Sequence, residues 1–378
     1  MENRFFNEVK GRFGFGCMRL PMKQGEVDYE TFRRMVDRFM DAGLNYFDTA
    51  HGYLDEKSEI AIRECLVRRY PREAFILTNK LSQNYFQKEE DIRPLFEKQL
   101  ECCGVDYFDF YLMHAQGRGC YDQYQNARAY EVAQELKKEG KVHHVGLSFH
   151  DNAEFLDKIL TDHPEIEVVQ IQFNYLDYEE ETVQSRACYE VCVKHGVPVL
   201  VMEPVKGGSL INLPDSQKAR LDALIGDSGA DYASYALRFA EHFDQMFMVL
   251  SGMSNMEQME SNLSCMVEPK PLDENEMQTL LDIGRYLREE GQIPCTGCRY
   301  CTKDCPQQIA IPDIFSAWNV KKRRQDFPAF GMYQHAIRDN GKPEDCIKCG
   351  SCEEICPQHL QIRDLLEEAA EVLSRPPF

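Results

Sequence analysis

Eight of the sixteen cysteines fall into two runs near the C-terminus, and no other feature constrains this chain as strongly. The first run reads Cys295-Thr-Gly-Cys298-Arg-Tyr-Cys301-Thr-Lys-Asp-Cys305-Pro306, and the second Cys346-Ile-Lys-Cys349-Gly-Ser-Cys352-Glu-Glu-Ile-Cys356-Pro357. Both have the spacing C-x2-C-x2-C-x3-C-P. Three thiolates at three-residue intervals wrap a tight loop around one corner of an inorganic centre. The fourth opens a helix, and a proline after it suits a first helical turn. A disulfide framework suits short secreted chains; this one has 378 residues and can bury a proper core. Zinc usually takes two CxxC pairs, which leaves the third and fourth cysteine of each run without a purpose. The spacing therefore points to iron and sulfur. The other eight, Cys17, Cys65, Cys102, Cys103, Cys120, Cys188, Cys192 and Cys265, are scattered and read as small hydrophobes.

The runs resemble those of the bacterial two-cluster ferredoxins, in which the fourth cysteine of each run ligates the other cluster. That resemblance implies two [4Fe–4S] clusters, one on Cys295, Cys298, Cys301 and Cys356, the other on Cys346, Cys349, Cys352 and Cys305. The residues between the runs look helical, around Pro312–Trp318 and Tyr333–Ile337, so a small, mainly helical dicluster ferredoxin-like domain is expected over 284–378. Lys321-Lys322-Arg323-Arg324 reads as a solvated helix end in preference to a docking patch for an acidic partner.

Before residue 284, short apolar runs rich in β-branched and aromatic residues alternate with helix-period stretches. The predicted strands are 13–18, 45–49, 75–79, 108–113, 144–148, 168–173, 198–202 and 246–251. Glycines at 43, 104, 140 and 196 mark the helix C-termini between them. Eight such units predict an α/β fold, a (β/α)8 TIM barrel over 1–283. A doubly wound sheet is disfavoured, because no G-x-G-x-x-G opens a helix after the first strand.

Catalytic groups of such barrels sit at the C-terminal ends of strands. The second strand ends Asp48-Thr-Ala-His-Gly-Tyr53, the third Thr78-Asn-Lys80 and the fourth Leu112-Met-His114. An acid, a phenol, an amine and an imidazole thus converge from adjacent strands. An ammonium beside a phenol is expected to lower the Tyr53 pKa. His51 reads as a surface-loop residue, Cys17 as core or pocket lining, and His143-His144 as structural. In order and spacing these strand ends resemble the aldo-keto reductase family over about residues 12–265. The resemblance implies that Tyr53 donates a proton to a carbonyl, that Lys80 and Asp48 tune it, and that His114 orients the substrate while a nicotinamide delivers hydride. Ser148 and Gln172 match the family's carboxamide contacts, and Asn262 its adenine contact. Gly207, Gly208, Gly252 and Ser254 are candidate pyrophosphate contacts. The chain departs from the family at two places. Met202 stands where an aromatic residue usually stacks on the nicotinamide. Gly252, Met253 and Gln258 stand where basic residues usually meet the 2′-phosphate, which leaves NADP and NAD both open.

A hydride moves two electrons and a cluster one. Flavin converts between these modes, but no fingerprint supports it here. The leading expectation is a carbonyl–alcohol oxidoreductase using NAD(P)(H), its clusters relaying electrons to or from a ferredoxin-like partner. The alternatives are a reductase with purely structural clusters, and an electron-transfer protein using the barrel as scaffold. A net charge of −20 excludes a nucleic-acid or anionic-membrane surface. Residues 1–8 lack a signal peptide's apolar core, which with the absence of a long apolar run predicts a cytoplasmic protein.

Overall fold

A computed structural model describes residues 3–226, 229–322 and 326–374. Arg323 and Arg324 of the basic stretch lie outside the described residues. Eight parallel strands close into a barrel: β1 (Phe13–Gly16), β2 (Tyr46–Asp48), β3 (Ile76–Leu81), β4 (Phe108–Gln116), β5 (Val142–Phe149), β6 (Val168–Gln172), β7 (Val199–Met202) and β8 (Met246–Gly252). Each predicted strand coincides with one of these. The barrel is a packed core, not a pore: Tyr46, Phe110, Leu112, Val168, Leu200 and Phe247 fill its interior. Phe6 plugs the N-terminal end edge-on against Phe110 and Phe247. At that same end His144 lies between Glu8 and Glu167, at 2.7 and 2.9 Å, as befits a structural residue on the stability face.

Amphipathic helices cover the strands. Tyr29–Asp41 is representative: it buries Phe32, Met35, Val36 and Phe39, and Asp28 caps it by accepting the Thr31 N–H. The helix Glu274–Glu289 carries the chain from barrel to C-terminal domain. Its Leu280, Ile283 and Leu287 belong to the barrel's core. Gly284 lies so close to the Tyr175 carbonyl that a Cβ would overlap it, and Arg288 donates to the Leu176 carbonyl at 2.6 Å. The division expected after residue 283 falls within this helix.

The C-terminal domain has its own core, in which Ile293, Ile314, Phe315, Trp318, Tyr333 and Leu366 meet. Helices Ile311–Lys322, Asp326–Ala336 and Ile362–Leu373 build it, and Asn319 binds both backbone groups of Ile293 at 2.8 Å. Among the described residues no helix is long and apolar enough to cross a membrane.

Candidate active site

Lys80 lies at the centre of the barrel's C-terminal face, bonded to Asp48, Thr49 and Tyr53. It is wholly buried, and its Nζ donates to Asp48 Oδ1 at 2.7 Å, to the Thr49 carbonyl at 2.9 Å and toward the Tyr53 hydroxyl at 3.4 Å. Register makes this meeting possible: β2 pairs with β3 as Asp48 with Thr78, and β3 with β4 as Lys80 with Leu112. His114 completes the group, its ring edge-on to Tyr53 with centroids 6.0 Å apart. The structure thus brings Asp48, Tyr53, Lys80 and His114 together.

Burial pushes the Asp48 carboxyl up and the Lys80 ammonium down, while their mutual attraction opposes both shifts. The short contact and the Thr49 carbonyl favour the ion pair. Tyr53 departs from expectation. Its pKa is raised well above the ordinary phenol value, first by burial and then by the charges of Asp48, Cys17 and Glu203. Desolvation of a phenolate outweighs one ammonium whose charge is already matched by Asp48. Burial, with Lys80 and His150 nearby, likewise lowers the His114 pKa well below the usual imidazole value, so the ring is neutral.

Several residues that support this group carried no sequence signal. A 2.6 Å hydrogen bond joins Ser82 Oγ to His114 Nδ1 and leaves Nε2 for a ligand. His51, expected on the surface, is only 6% exposed because Glu59, fully buried, needs a partner; the two meet at 2.7 Å. Asn79 donates to the other Glu59 oxygen, and Gln99 bridges Asn79 to the Lys80 carbonyl. After Tyr53 the backbone makes a left-handed turn through Leu54, Asp55 and Glu56, with φ of 54°, 55° and 67°.

The candidate nucleotide contacts occupy β5 to β8. Ser148 Oγ accepts the Ala115 N–H at 2.7 Å. Gln172 lies beside Met202 in the β6–β7 register, and its buried Nε2 has no protein partner, a donor suited to an amide carbonyl. Gly252 ends β8 against the Arg19 side chain. Gln258 caps the Ser254 N–H at 2.7 Å, and Asn262 donates to Ser251 Oγ at 2.9 Å. Gly207 and Gly208 form a tight turn with φ of 62° and 97°, and a Cβ on Gly207 would overlap the Thr296 carbonyl.

Thr296 comes from the C-terminal domain, which sits on the barrel's catalytic face. Arg19 donates to the Thr296 carbonyl at 2.6 Å, and Lys303 pairs with Asp55. Lys206, fully buried, is held by Asp177 and by Gln358, whose Nε2 reaches Glu203 at 3.2 Å. His359 Nε2 lies 2.5 Å from the His150 carbonyl.

Among the described residues no three acidic, cysteine or histidine side chains close in on a single-ion point. The donor set nevertheless suits a larger thiolate-bound group. Cys305, Cys346, Cys349 and Cys352 line one solvent-open cavity. After burial, the charges of Cys298, Cys295, Cys356 and also Cys352 of the other set raise the Cys301 thiol. At Cys349 the Ser351 N–H and hydroxyl act the other way and lower the pKa, favouring thiolate.

Comparison with known proteins matches two families along the chain. A model of the aldo/keto reductase family matches residues 12–284, and a 4Fe-4S dicluster domain model matches 294–360. The NADH-specific methylglyoxal reductase of Escherichia coli is 27% identical over 222 residues, 53% of this chain and 65% of that protein. The glyoxal reductase of Bacillus subtilis is 28% identical over 201 residues, with the same two coverages. The chain thus spans just under two thirds of the length of both relatives. Among solved structures, the holo form of an aldo-keto reductase from Bacillus halodurans superposes with a TM-score of 0.61 at 24% identity, covering 75% of this chain and 96% of that one. An aldo-keto reductase from Klebsiella pneumoniae in complex with NADPH gives 0.59 at 19% identity, with coverages of 72% and 94%.

Proposed function

The chain belongs to the aldo/keto reductase family and carries a C-terminal 4Fe-4S dicluster domain, and from that premise we propose that it interconverts a small carbonyl compound and its alcohol with NAD(P)(H), the dicluster domain relaying electrons to or from a ferredoxin-like partner. The observation that carries the reading is the buried Lys80, held by Asp48 and Thr49 and aimed at the Tyr53 hydroxyl. A reduced nicotinamide supplies hydride to the carbonyl carbon. Tyr53, protonated across the neutral range, hands its proton to the carbonyl oxygen, and the resulting phenolate is stabilised by the ammonium of Lys80. Asp48 keeps that ammonium charged and in place. His114 is neutral; with Ser82 donating to Nδ1, its Nε2–H points a hydrogen bond at the same oxygen. The free amide of Gln172, with Ser148, would hold the nicotinamide carboxamide. Met202 would pack on the ring, and Gly207, Gly208, Gly252, Ser254, Gln258 and Asn262 would line the remainder of the nucleotide.

Cys295, Cys298, Cys301 and Cys356 would hold one [4Fe–4S] cluster, and Cys305, Cys346, Cys349 and Cys352 the other; such clusters supply one-electron transfer. We place the boundary between the two units at residues 290–292, between the barrel helix and Ile293. A second reading, purely structural clusters, is favoured by the buried anchor of Gln358 on Lys206, itself held by Asp177, which makes the domain a roof over the site.

The test is an anaerobic assay with methylglyoxal as first substrate, chosen because two relatives are named for such 2-oxoaldehydes. NADH and NADPH are offered separately while the visible cluster absorption is followed. Turnover that Tyr53→Phe abolishes supports the tetrad; full activity in that variant refutes it. Bleaching of the clusters by one nucleotide supports the relay. Turnover without bleaching supports the structural reading.

A further inference from the structure

The two groups of cysteines stand differently toward the barrel. The bonds that join the domains come from residues interleaved with one group. Thr296, between Cys295 and Cys298, is gripped by Arg19 and packs on Gly207. Lys303, two residues after Cys301, pairs with Asp55, itself two residues beyond Tyr53. Pro357, Gln358 and His359 directly follow Cys356. They bind His150 Nδ1 at 3.3 Å, the pair Lys206–Asp177 together with Glu203, and the His150 carbonyl. Both stretches of chain that carry this group are therefore pinned to the loops after β1, β2, β5 and β7 at the barrel's C-terminal face. Tyr300 opens the short helix Tyr300–Lys303 between two of those anchors.

The other group faces outward. Cys305, Cys346, Cys349 and Cys352 share a cavity whose rim is the loop Cys346–Gly350. Cys349 there is exposed, and Ile347 is 59% exposed, the most open large apolar side chain among the described residues. The loop's Lys348 pairs with Glu367 of its own domain.

We propose that Cys295, Cys298, Cys301 and Cys356 hold the barrel-facing cluster and Cys305, Cys346, Cys349 and Cys352 the outward-facing one, so that electrons pass between barrel and solvent side in that order. The proposal rests on the electron-relay reading. Oxidation of one alcohol to one carbonyl passes a hydride to NAD(P)+ and releases one proton. Reoxidation of that NAD(P)H would release a second proton and two electrons, one to each of the two one-electron sites in series, and two molecules of a one-electron carrier protein of the ferredoxin class would remove them at the outer end, or supply them in the reverse direction. Gln358 is the positioning residue of the inner end: it ties the chain after Cys356 to Lys206 without ligating anything.

The test uses the full-length holoprotein reduced anaerobically with dithionite, which needs no nicotinamide, and reads electron paramagnetic resonance. Cys298→Ser and Cys349→Ser assign the two signals by altering one each. Gln358→Ala, which keeps every cysteine, serves the same end should either serine variant fail to load. A water-soluble gadolinium chelate is expected to relax the signal assigned by Cys349 several-fold more than the one assigned by Cys298. Gln358→Ala is expected to shift only the Cys298 signal. Equal relaxation of both signals, the reverse order, or a Gln358→Ala shift confined to the Cys349 signal would overturn the assignment. A relay that fails in the nucleotide titration leaves these signals measurable, so the two failures are distinguishable.

Discussion

The barrel site and the cysteine sites are ordered by different forces. In the barrel the charged and imidazole groups of the site have protein partners: Lys80 has Asp48 and Thr49, His114 has Ser82, and Glu59 has His51 and Asn79. In the dicluster domain two sets of four thiols lie together; burial, opposed by the Gly297 N–H and reinforced by neighbouring cysteines, raises the Cys295 thiol to about 12, and burial with the charges of Glu353 and neighbouring cysteines raises the Cys352 thiol to about 11. Protonated, such thiols gain little from their proximity; bound to iron as thiolates, they become the domain's strongest cross-link. The barrel site is thus organised by hydrogen bonds and a buried ion pair, whereas on the proposed reading the domain above it depends on its clusters.

Iron removal breaks that comparison most sharply. Structural metal sites contribute on the order of 10 kcal/mol to small domains. Anaerobic chelation is therefore expected to unfold residues 293–374 while the barrel still melts as a cooperative unit. Limited proteolysis with calorimetry checks this. A barrel that unfolds together with the domain would mean that Lys206, Arg19 and Asp55 depend on their docking partners as much as the thiols depend on iron.

Next in size is the buried ion pair. Lys80→Met leaves Asp48 buried and unpaired, a change that costs about 3–5 kcal/mol in comparable pairs. Urea unfolding of the holoprotein should show that loss, and the companion Asp48→Leu, Lys80→Met variant should recover most of it, since replacing both members of a buried pair is often neutral. Neither variant should reduce a carbonyl. A single Lys80→Met variant as stable as the parent would show that the pair is neutral in the folded protein.

These two sites were not equally legible in the sequence. Asp48, Tyr53, Lys80 and His114 stand out because β-branched and aromatic strands end just before them, and a barrel gathers strand ends at one face. The cysteine runs stand out by spacing alone. Ser82, Glu59 and Gln99 do not, because a hydrogen-bond partner has no periodicity. The left-handed turn at 54–56 is built from Leu, Asp and Glu, none a usual marker of positive φ. The docking of Thr296 on Gly207 and of Gln358 on Lys206 joins residues 89 and 152 positions apart, and no local pattern encodes such pairs. The raised Tyr53 pKa was missed because an ammonium beside a phenol is visible in sequence order and desolvation is not.

That raised pKa makes the next prediction. Tyr53 must be protonated to donate, so carbonyl reduction is expected to hold steady from neutral pH upward until the phenol begins to ionise, well above 10. Alcohol oxidation needs the phenolate and should rise with pH across the same range. Stopped-flow rates in both directions test this. A reduction rate that falls tenfold per unit between pH 7 and 9 would place the donor's pKa below neutral alkaline values and restore the dominance of Lys80.

The smallest expected effect belongs to the barrel's far end, where hydrogen bonding alone should govern. Burial pushes Glu167 up, but bonds from His144, Lys137 and the Val145 N–H outweigh it and hold the carboxyl at about 2. A depressed carboxylate contributes stability that is present above its unfolded value, near 4.5, and is lost as pH falls through about 2. The side chain is 28% exposed, so solvent screening trims the gain to roughly 1–2 kcal/mol. Glu167→Gln should lower stability by that amount at pH 6, with the deficit shrinking as pH falls below about 4.5. Unfolding midpoints at pH 6 and pH 3 read the difference. Cluster absorption and carbonyl reduction should not change, because Glu167 lies at the opposite end of the strands from Tyr53 and the docked domain. A shift in either would mean that strain at the stability end is transmitted along β5 to Ser148, and that the separation between the two faces is not complete.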